Sequence, residues 1–299
     1  MPDRMDRIHV FLNAARGLSV LEALVADGHG VDAVHVPPAA AQKPEISGVV
    51  SRLGLKLSAI TDANSPDFVQ RLRAARARLG VVAGFSTILG PTVHSAPDLG
   101  MINCHAGRLP QYRGGSPLNW QIMNGEPQAG ISVLKVDDGI DSGDVLAEAL
   151  VPIGESDDIA TMHEKANAAF PRLVVETVRR FAAGNFTGRR QDPATAVYWH
   201  QRNDADGRID WRCPARRVHD MVRALTFPYP GAFTMLGSRK LRILRTSLEA
   251  PDVRGVPGRI VHVSGSGPLV VCADRAIRIV EWRFEDGGPA RLATGERFE

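Results

Sequence analysis

The first half of the chain alternates continuous apolar runs with amphipathic stretches. Residues 7–12 (RIHVFL) read as a first strand, and Leu18, Leu21, Leu24 and Val25 then recur at helical spacing over 18–26. A second apolar run covers 31–36 and stops at Pro37-Pro38. A short helix is predicted at 46–53 and a third strand at 55–60. Ser65-Pro66-Asp67 has the form of a helix start, with the hydroxyl at the cap and proline in the first turn. Residues 79–85 and 100–104 supply a fourth and a fifth strand. Strands buried on both faces and separated by helices predict an α/β fold with a doubly wound, mostly parallel, Rossmann-like sheet. Such sheets bind ligands beyond the carboxyl ends of their strands.

Beyond the fifth strand, a helix is predicted at 116–124, strands at 130–136 and 145–151, and a long amphipathic helix at 157–183. The polar stretch 187–206 reads as a linker. After it come one short helix (218–225) and short strands at 231–236, 240–245, 259–263, 269–272 and 276–282, a spacing that predicts a small antiparallel barrel. The expected division is 1–186, 187–206 and 207–299. The first strand-to-helix turn, Asn13-Ala14-Ala15-Arg16-Gly17, lacks a GxGxxG fingerprint, and Gly265-Ser266-Gly267 reads as a turn between strands.

Length and composition are those of a globular protein: 299 residues, 44% hydrophobic and 23% charged. Apolar runs fall short of the roughly 18 residues a membrane span needs. Met1-Pro2-Asp3-Arg4-Met5-Asp6-Arg7 does not resemble a signal peptide, and Cys104, Cys213 and Cys272 have no CxxC spacing. A cytoplasmic protein without a metal site or disulfide framework is expected. The net charge of +3 is uneven, with +5 over residues 201–299 and −2 before them. An arginine-rich solvated surface accounts for the basic tail more simply than RNA or a diphosphate does.

Candidate chemistry sits where the fifth strand ends. Asn103 and His105 lie two apart on one side of an extended segment. A carboxylate, Asp141, follows in the turn-rich Gly139-Ile140-Asp141-Ser142-Gly143. An amide can donate to an oxyanion, an imidazole can take a proton, and a carboxylate can orient the imidazole. Taken singly, each is an ordinary turn or loop residue.

The string 103–120 (NCHAGRLPQYRGGSPLNW), then Asn124-Gly125-Glu126, Gly130-Ile131-Ser132-Val133 and 137–144 (DDGIDSGD), resembles the 10-formyltetrahydrofolate-dependent formyltransferases. That family includes methionyl-tRNA, glycinamide ribonucleotide and sugar-nucleotide enzymes. The resemblance implies an enzyme with Asn103, His105 and Asp141 as the catalytic trio. It implies a folate pocket formed by Phe85, Ser86, Thr87, Ile88 and Leu89 on one wall and by Val136, Asp137, Gly139 and Ile140 on the other. For Ile88 and Leu89 the bland alternative is ordinary core. Tyr112, Arg113 and Gly114 are the expected substrate contacts; Tyr112 has packing as its ordinary role, and Arg113 offers either a phosphate fork or a structural contact. Residues 206–211 (DGRIDW), Val222-Arg223-Ala224-Leu225 and 228–233 (PYPGAF) resemble the OB-like C-terminal domain of the methionyl-tRNA and aminoarabinose-type enzymes.

The methionyl-tRNA enzymes carry a long basic insertion after the second strand. Here that region, 36–46 (VPPAAAQKPEI), is short and holds one lysine, so phosphate contacts from it are few. Leu118-Asn119-Trp120 resembles sugar-nucleotide enzymes instead. The expected acceptor is therefore the amine of a nucleotide-linked amino sugar. tRNA and a small amine such as hydroxyornithine are the alternatives, and an inactive folate- or sugar-binding homologue is the non-enzyme one. A homodimer is left open.

Overall fold

A computed structural model describes residues 4–263, 265, 267–289 and 291–299. The chain divides into two compact units. The first comprises Met1–Gly114, Gly130–Val151 and Glu164–Tyr198, and the second comprises Gly115–Ala129, Pro152–His163 and Trp199–Glu299.

The first unit is built on a seven-stranded sheet. In chain order its elements are β1 (Ile8–Leu12), α1 (Ala15–Ala26), β2 (Val31–Val36), α2 (Pro38–Ala41), α3 (Pro44–Arg52), β3 (Lys56–Ala59), α4 (Pro66–Ala74), β4 (Leu79–Ala83), α5 (Pro91–His94) and β5 (Met101–His105). There follow β6 (Arg113–Gly114), β7 (Gln128–Lys135), β8 (Val145–Pro152), α7 (Ile159–Ala182) and the two-residue strand β9 (Tyr198–Trp199), while α6 (Pro117–Met123), between β6 and β7 in the chain, belongs to the second unit. The sheet order is β3-β2-β1-β4-β5-β7-β8. The pairs from β3 through to β5 are parallel, and β7 joins β5 antiparallel. Every residue of β1 and β4 is buried, as expected of central strands covered on both faces, whereas β3 at the edge has no fully buried residue. Chain order reverses between β1 and β4, where Leu12 pairs with Ala83. The carboxyl ends of that pair and of the adjacent β5 are thus the crevice of the sheet.

Local signals explain the helix starts. Ser65 accepts from the Phe68 N–H at 3.3 Å, and Pro66 opens α4. The core on the α4 side gathers Phe11, Phe68, Leu72, Val82, Leu89, Val93 and Met101, and Phe85 and Val136 pack against it. The predicted strands and helices all form, with no end displaced by more than about three residues.

The second unit contains α8 (Ala215–Leu225) and a five-stranded antiparallel sheet. Its strands are β10 (Ala232–Leu236), β11 (Arg239–Ser247), β12 (Ile260–His262), β13 (Pro268–Val271) and β14 (Ala276–Phe284), in the order β10-β11-β14-β13-β12. The final residues span its two edges. Ile260 N–H donates to the Glu296 carbonyl and Phe298 N–H to that of Gly258, while Glu299 N–H donates to Met235 on β10. The tail therefore satisfies edge groups on both β10 and the β12 side and gives the sheet its barrel-like closure. Ser266 of the Gly265-Ser266-Gly267 segment lies outside the described residues, as do Met1, Pro2 and Asp3 at the N-terminus.

Candidate active site

The end of β5 presents Asn103 and His105 on one side and Cys104 on the other. Cys104 is 3% exposed, and burial pushes its thiol up to about 12, so it is no nucleophile. His105 is buried between two acceptors. Its Nε2 lies 2.6 Å from the Tyr112 carbonyl oxygen and its Nδ1 3.4 Å from Asp141 Oδ2. A carbonyl can only accept, so Nε2 carries a proton. In the neutral ring Nδ1 is then the free base, and it faces the carboxylate. Gly107 makes the first of these contacts possible: a Cβ there would stand 2.4 Å from His105 Nε2 and 2.5 Å from the Tyr112 oxygen.

Asp141 joins the three groups. Its Oδ1 accepts from Asn103 Nδ2 at 3.3 Å, and its Oδ2 accepts from the Gly114 backbone N–H at 3.0 Å. The residue itself is left-handed, with φ 48°. A non-glycine residue holds that conformation only where its surroundings fix it. Two features do so. Gly143 packs so tightly that a Cβ would meet the Lys135 carbonyl oxygen at 2.0 Å. Gln191 donates from Nε2 to the Asp141 carbonyl at 2.8 Å and to the Gly143 carbonyl at 2.7 Å.

Gln191 had no sequence signal as a site residue. It lies in the polar stretch read as the linker, about fifty positions after the loop it holds. Its Oε1 accepts from Arg113 Nε at 3.0 Å and from Arg113 Nη2 at 2.9 Å. Arg113 Nη1 donates to the Tyr198 hydroxyl at 2.7 Å. Arg113 is 4% exposed, and its guanidinium braces Gln191 and Tyr198 instead of opening toward a phosphate, the geometry of a structural contact. Tyr112 is 5% exposed and meets the site through its carbonyl, and Gly114 through its N–H.

The expected folate walls lie on two loops beside the crevice. Leu89 is core, and Phe85 and Val136 are partly buried against the same cluster. Ile88 and Ile140 are 71% and 42% exposed, and Ser86 and Thr87 are exposed. Asn64 braces the first loop, donating to the Ile88 carbonyl at 2.9 Å and accepting from Gly90 N–H at 2.7 Å. Asp137 folds the second, accepting from Gly139 N–H at 3.2 Å and from the Ser142 hydroxyl at 2.7 Å. Exposed branched aliphatics on braced loops at a sheet crevice fit an apolar planar ligand. Among the described residues no group of three metal-ligating side chains occurs, and no helix is long and apolar enough to cross a membrane.

The family described as "Formyl transferase" matches residues 21–178, just over half of the chain, and "Formyl transferase, C-terminal domain" matches 202–294. The methionyl-tRNA formyltransferase of Citrifermentans bemidjiense is 32% identical over 253 residues, covering 85% of this chain and 78% of the relative. A crystal structure of an N-formyltransferase from Helicobacter canadensis with folinic acid and dTDP-3-aminofucose superposes with a TM-score of 0.70 at 14% identity, over 92% of this chain and 99% of that one. HypX from Aquifex aeolicus with tetrahydrofolic acid gives 0.65 at 19% identity, over 93% of this chain and 44% of that one. At these identities the two structures show a shared fold. The chain belongs to the formyltransferase family and is a formyltransferase.

Proposed function

We propose that this formyltransferase moves the formyl group of 10-formyltetrahydrofolate to the primary amine of a nucleotide-linked amino sugar, with Asn103, His105 and Asp141 carrying the chemistry. The amine nitrogen attacks the formyl carbon, and the carbonyl oxygen becomes anionic. Asn103 Nδ2 donates to that oxygen. The surplus amine proton passes, directly or through one water, to His105 Nδ1. The imidazolium formed there faces Asp141 Oδ2 and keeps its Nε2–H on Tyr112. When the carbon–N10 bond breaks, the proton goes on to the departing tetrahydrofolate nitrogen, and the products are the N-formyl sugar and tetrahydrofolate. Ile88 and Ile140 offer apolar surface to the pterin, and Val136 and Asp137 shape the loop behind it.

One observation carries the acceptor assignment. The connection from Val36 to Pro44 is only a single-turn helix and a short joint. Its one cation, Lys43, reaches back to the Asn13 carbonyl at 3.5 Å. Such a segment offers an acceptor stem few phosphate contacts, and tRNA affinity depends on many. A second reading, formylation of methionyl-tRNA, is favoured by the 32% identity to a protein of that name. The deciding experiment offers purified protein and 10-formyltetrahydrofolate two acceptors, UDP- and dTDP-linked amino sugars and charged initiator tRNA. Turnover of the sugars without the tRNA supports the proposal; turnover of the tRNA alone overturns it.

A further inference from the structure

Within the second unit, the segment 199–202 runs alongside the turn that opens α6. Gly115 N–H donates to the Trp199 carbonyl at 2.8 Å, Arg202 N–H to the Ser116 hydroxyl at 3.3 Å, and Trp120 Nε1 to the His200 carbonyl at 3.2 Å. The approach is close enough that a Cβ on Gly115 would stand 2.4 Å from Gln201 Cα. This brings aromatic rings together. Trp120 and Trp199 have centroids 4.8 Å apart at 33°, and the His200 ring lies 5.2 Å from Trp120. Both tryptophans are half-buried, and so keep ring surface open to solvent.

Three residues after Trp199 comes Arg202, whose backbone is tied to Ser116 at the start of α6. Its Nε is buried and has no hydrogen-bond partner among the described residues. Desolvation weakens its hold on the proton, ahead of the opposing pull of Asp206. Asp206 is itself engaged, accepting from Asn203 N–H at 2.7 Å and lying 3.8 Å from His200 Nδ1. A partly desolvated guanidinium left unpaired is unfavourable in the free protein and is relieved by an arriving anion. A planar fork on the same short segment as an indole suits a phosphate attached to a heteroaromatic base.

We infer that Trp120, Trp199 and Arg202 form a nucleoside diphosphate site, the indoles stacking on the base and the Arg202 fork holding the diphosphate. The inference rests on the nucleotide-sugar reading above and adds the residues that recognise the nucleotide. The test is calorimetric titration of the full chain with UDP, dTDP and inorganic diphosphate, for wild type, Arg202→Gln, Arg202→Lys, Trp120→Ala and Trp120→Phe, each checked for an unchanged melting temperature. The inference predicts that a nucleoside diphosphate binds the wild type. Arg202→Gln and Trp120→Ala then weaken it tenfold or more, and the lysine and phenylalanine variants recover part of the loss. Inorganic diphosphate responds to Arg202 and not to Trp120. Failure of wild type to bind either nucleotide, or equal binding by all variants, overturns it. Acceptor turnover separates the two ideas: sugar formylation with unchanged KM in Arg202→Gln refutes this site and leaves the functional reading standing. Formylation of tRNA alone refutes that reading, and the titration still decides the site.

Discussion

Replacing Gln191 tests how the Asp141 loop is held. Its side-chain amide makes four hydrogen bonds, two accepted from the buried Arg113 guanidinium and two donated to the carbonyls of Asp141 and Gly143. Hydrogen bonds to a charged group contribute about 1.5–3 kcal/mol each, and in Gln191→Ala the buried cation loses both bonds to Gln191 Oε1 and keeps the one to Tyr198. A loss of roughly 3–5 kcal/mol follows, on the order of 10 °C in Tm for a chain of this size. The same change frees Asp141 from its left-handed conformation, so kcat for formyl transfer falls at least tenfold, an effect of about 1.4 kcal/mol. Gln191→Glu separates the two effects. Its carboxylate still pairs with Arg113, and so it recovers most of the stability. It can no longer donate to the two carbonyls and repels them, so kcat stays low. Thermal unfolding by circular dichroism and tetrahydrofolate release followed by absorbance give the two readouts. Gln191→Glu with wild-type kcat, or Gln191→Ala with wild-type Tm, would show that Gln191 does not hold the Asp141 loop.

Further outcomes follow from the same contacts. Asn103→Ala removes the oxyanion donor and lowers kcat by about 10²–10³, with little change in KM for either substrate by steady-state kinetics. Gly143→Ala drives a methyl into the Lys135 carbonyl, and its crystal structure shows the Asp141 loop displaced, with activity reduced in step. Ile88→Asp leaves Tm within about 2 °C because the side chain is exposed, yet raises KM for 10-formyltetrahydrofolate tenfold or more. His9 and His35 are buried, 2.8 Å apart, and burial lowers both pKa values, that of His35 to about 3. The unfolded chain therefore binds more protons than the native one below about pH 6.5. The stability these neutral rings contribute is fully present above that pH and is lost as pH falls toward 3, at up to about 1.4 kcal/mol per unit for each ring. Tm measured from pH 7.5 to 5 should decline, and His35→Leu should flatten the decline.

The sequence made the sheet legible because β1, β2, β4 and β5 are mostly apolar, as strands covered on both faces require. Ser65-Pro66 marked α4 because capping is local chemistry. Asn103, His105 and Asp141 stood out through a long motif, and the structure places Asn103 Nδ2 3.3 Å and His105 Nδ1 3.4 Å from the Asp141 carboxylate. What stayed hidden depends on contacts distant in the chain. Gln191 is one amide in a polar stretch, with no period or spacing that ties it to Asp141. The destination of the Arg113 fork could not be chosen because Gln191 and Tyr198 lie far along the chain. The closing role of the tail, from Glu296 to Glu299, depends on β10 and β12 edges that composition does not reveal. His9 and His35 look like ordinary members of apolar runs until parallel pairing of β1 with β2 sets them side by side.

In the proposed mechanism His105 takes the amine proton while Asn103 and Asp141 serve the same transfer. The direct measurement is the single-turnover rate of N-formyl product formation from 10-formyltetrahydrofolate and a nucleotide-linked amino sugar, compared between wild type and His105→Ala at matched Tm. A fall of about 10²–10⁴ is predicted, the range that general-base catalysis supplies. A His105→Ala rate within about twofold of wild type, set against that range, would contradict the account.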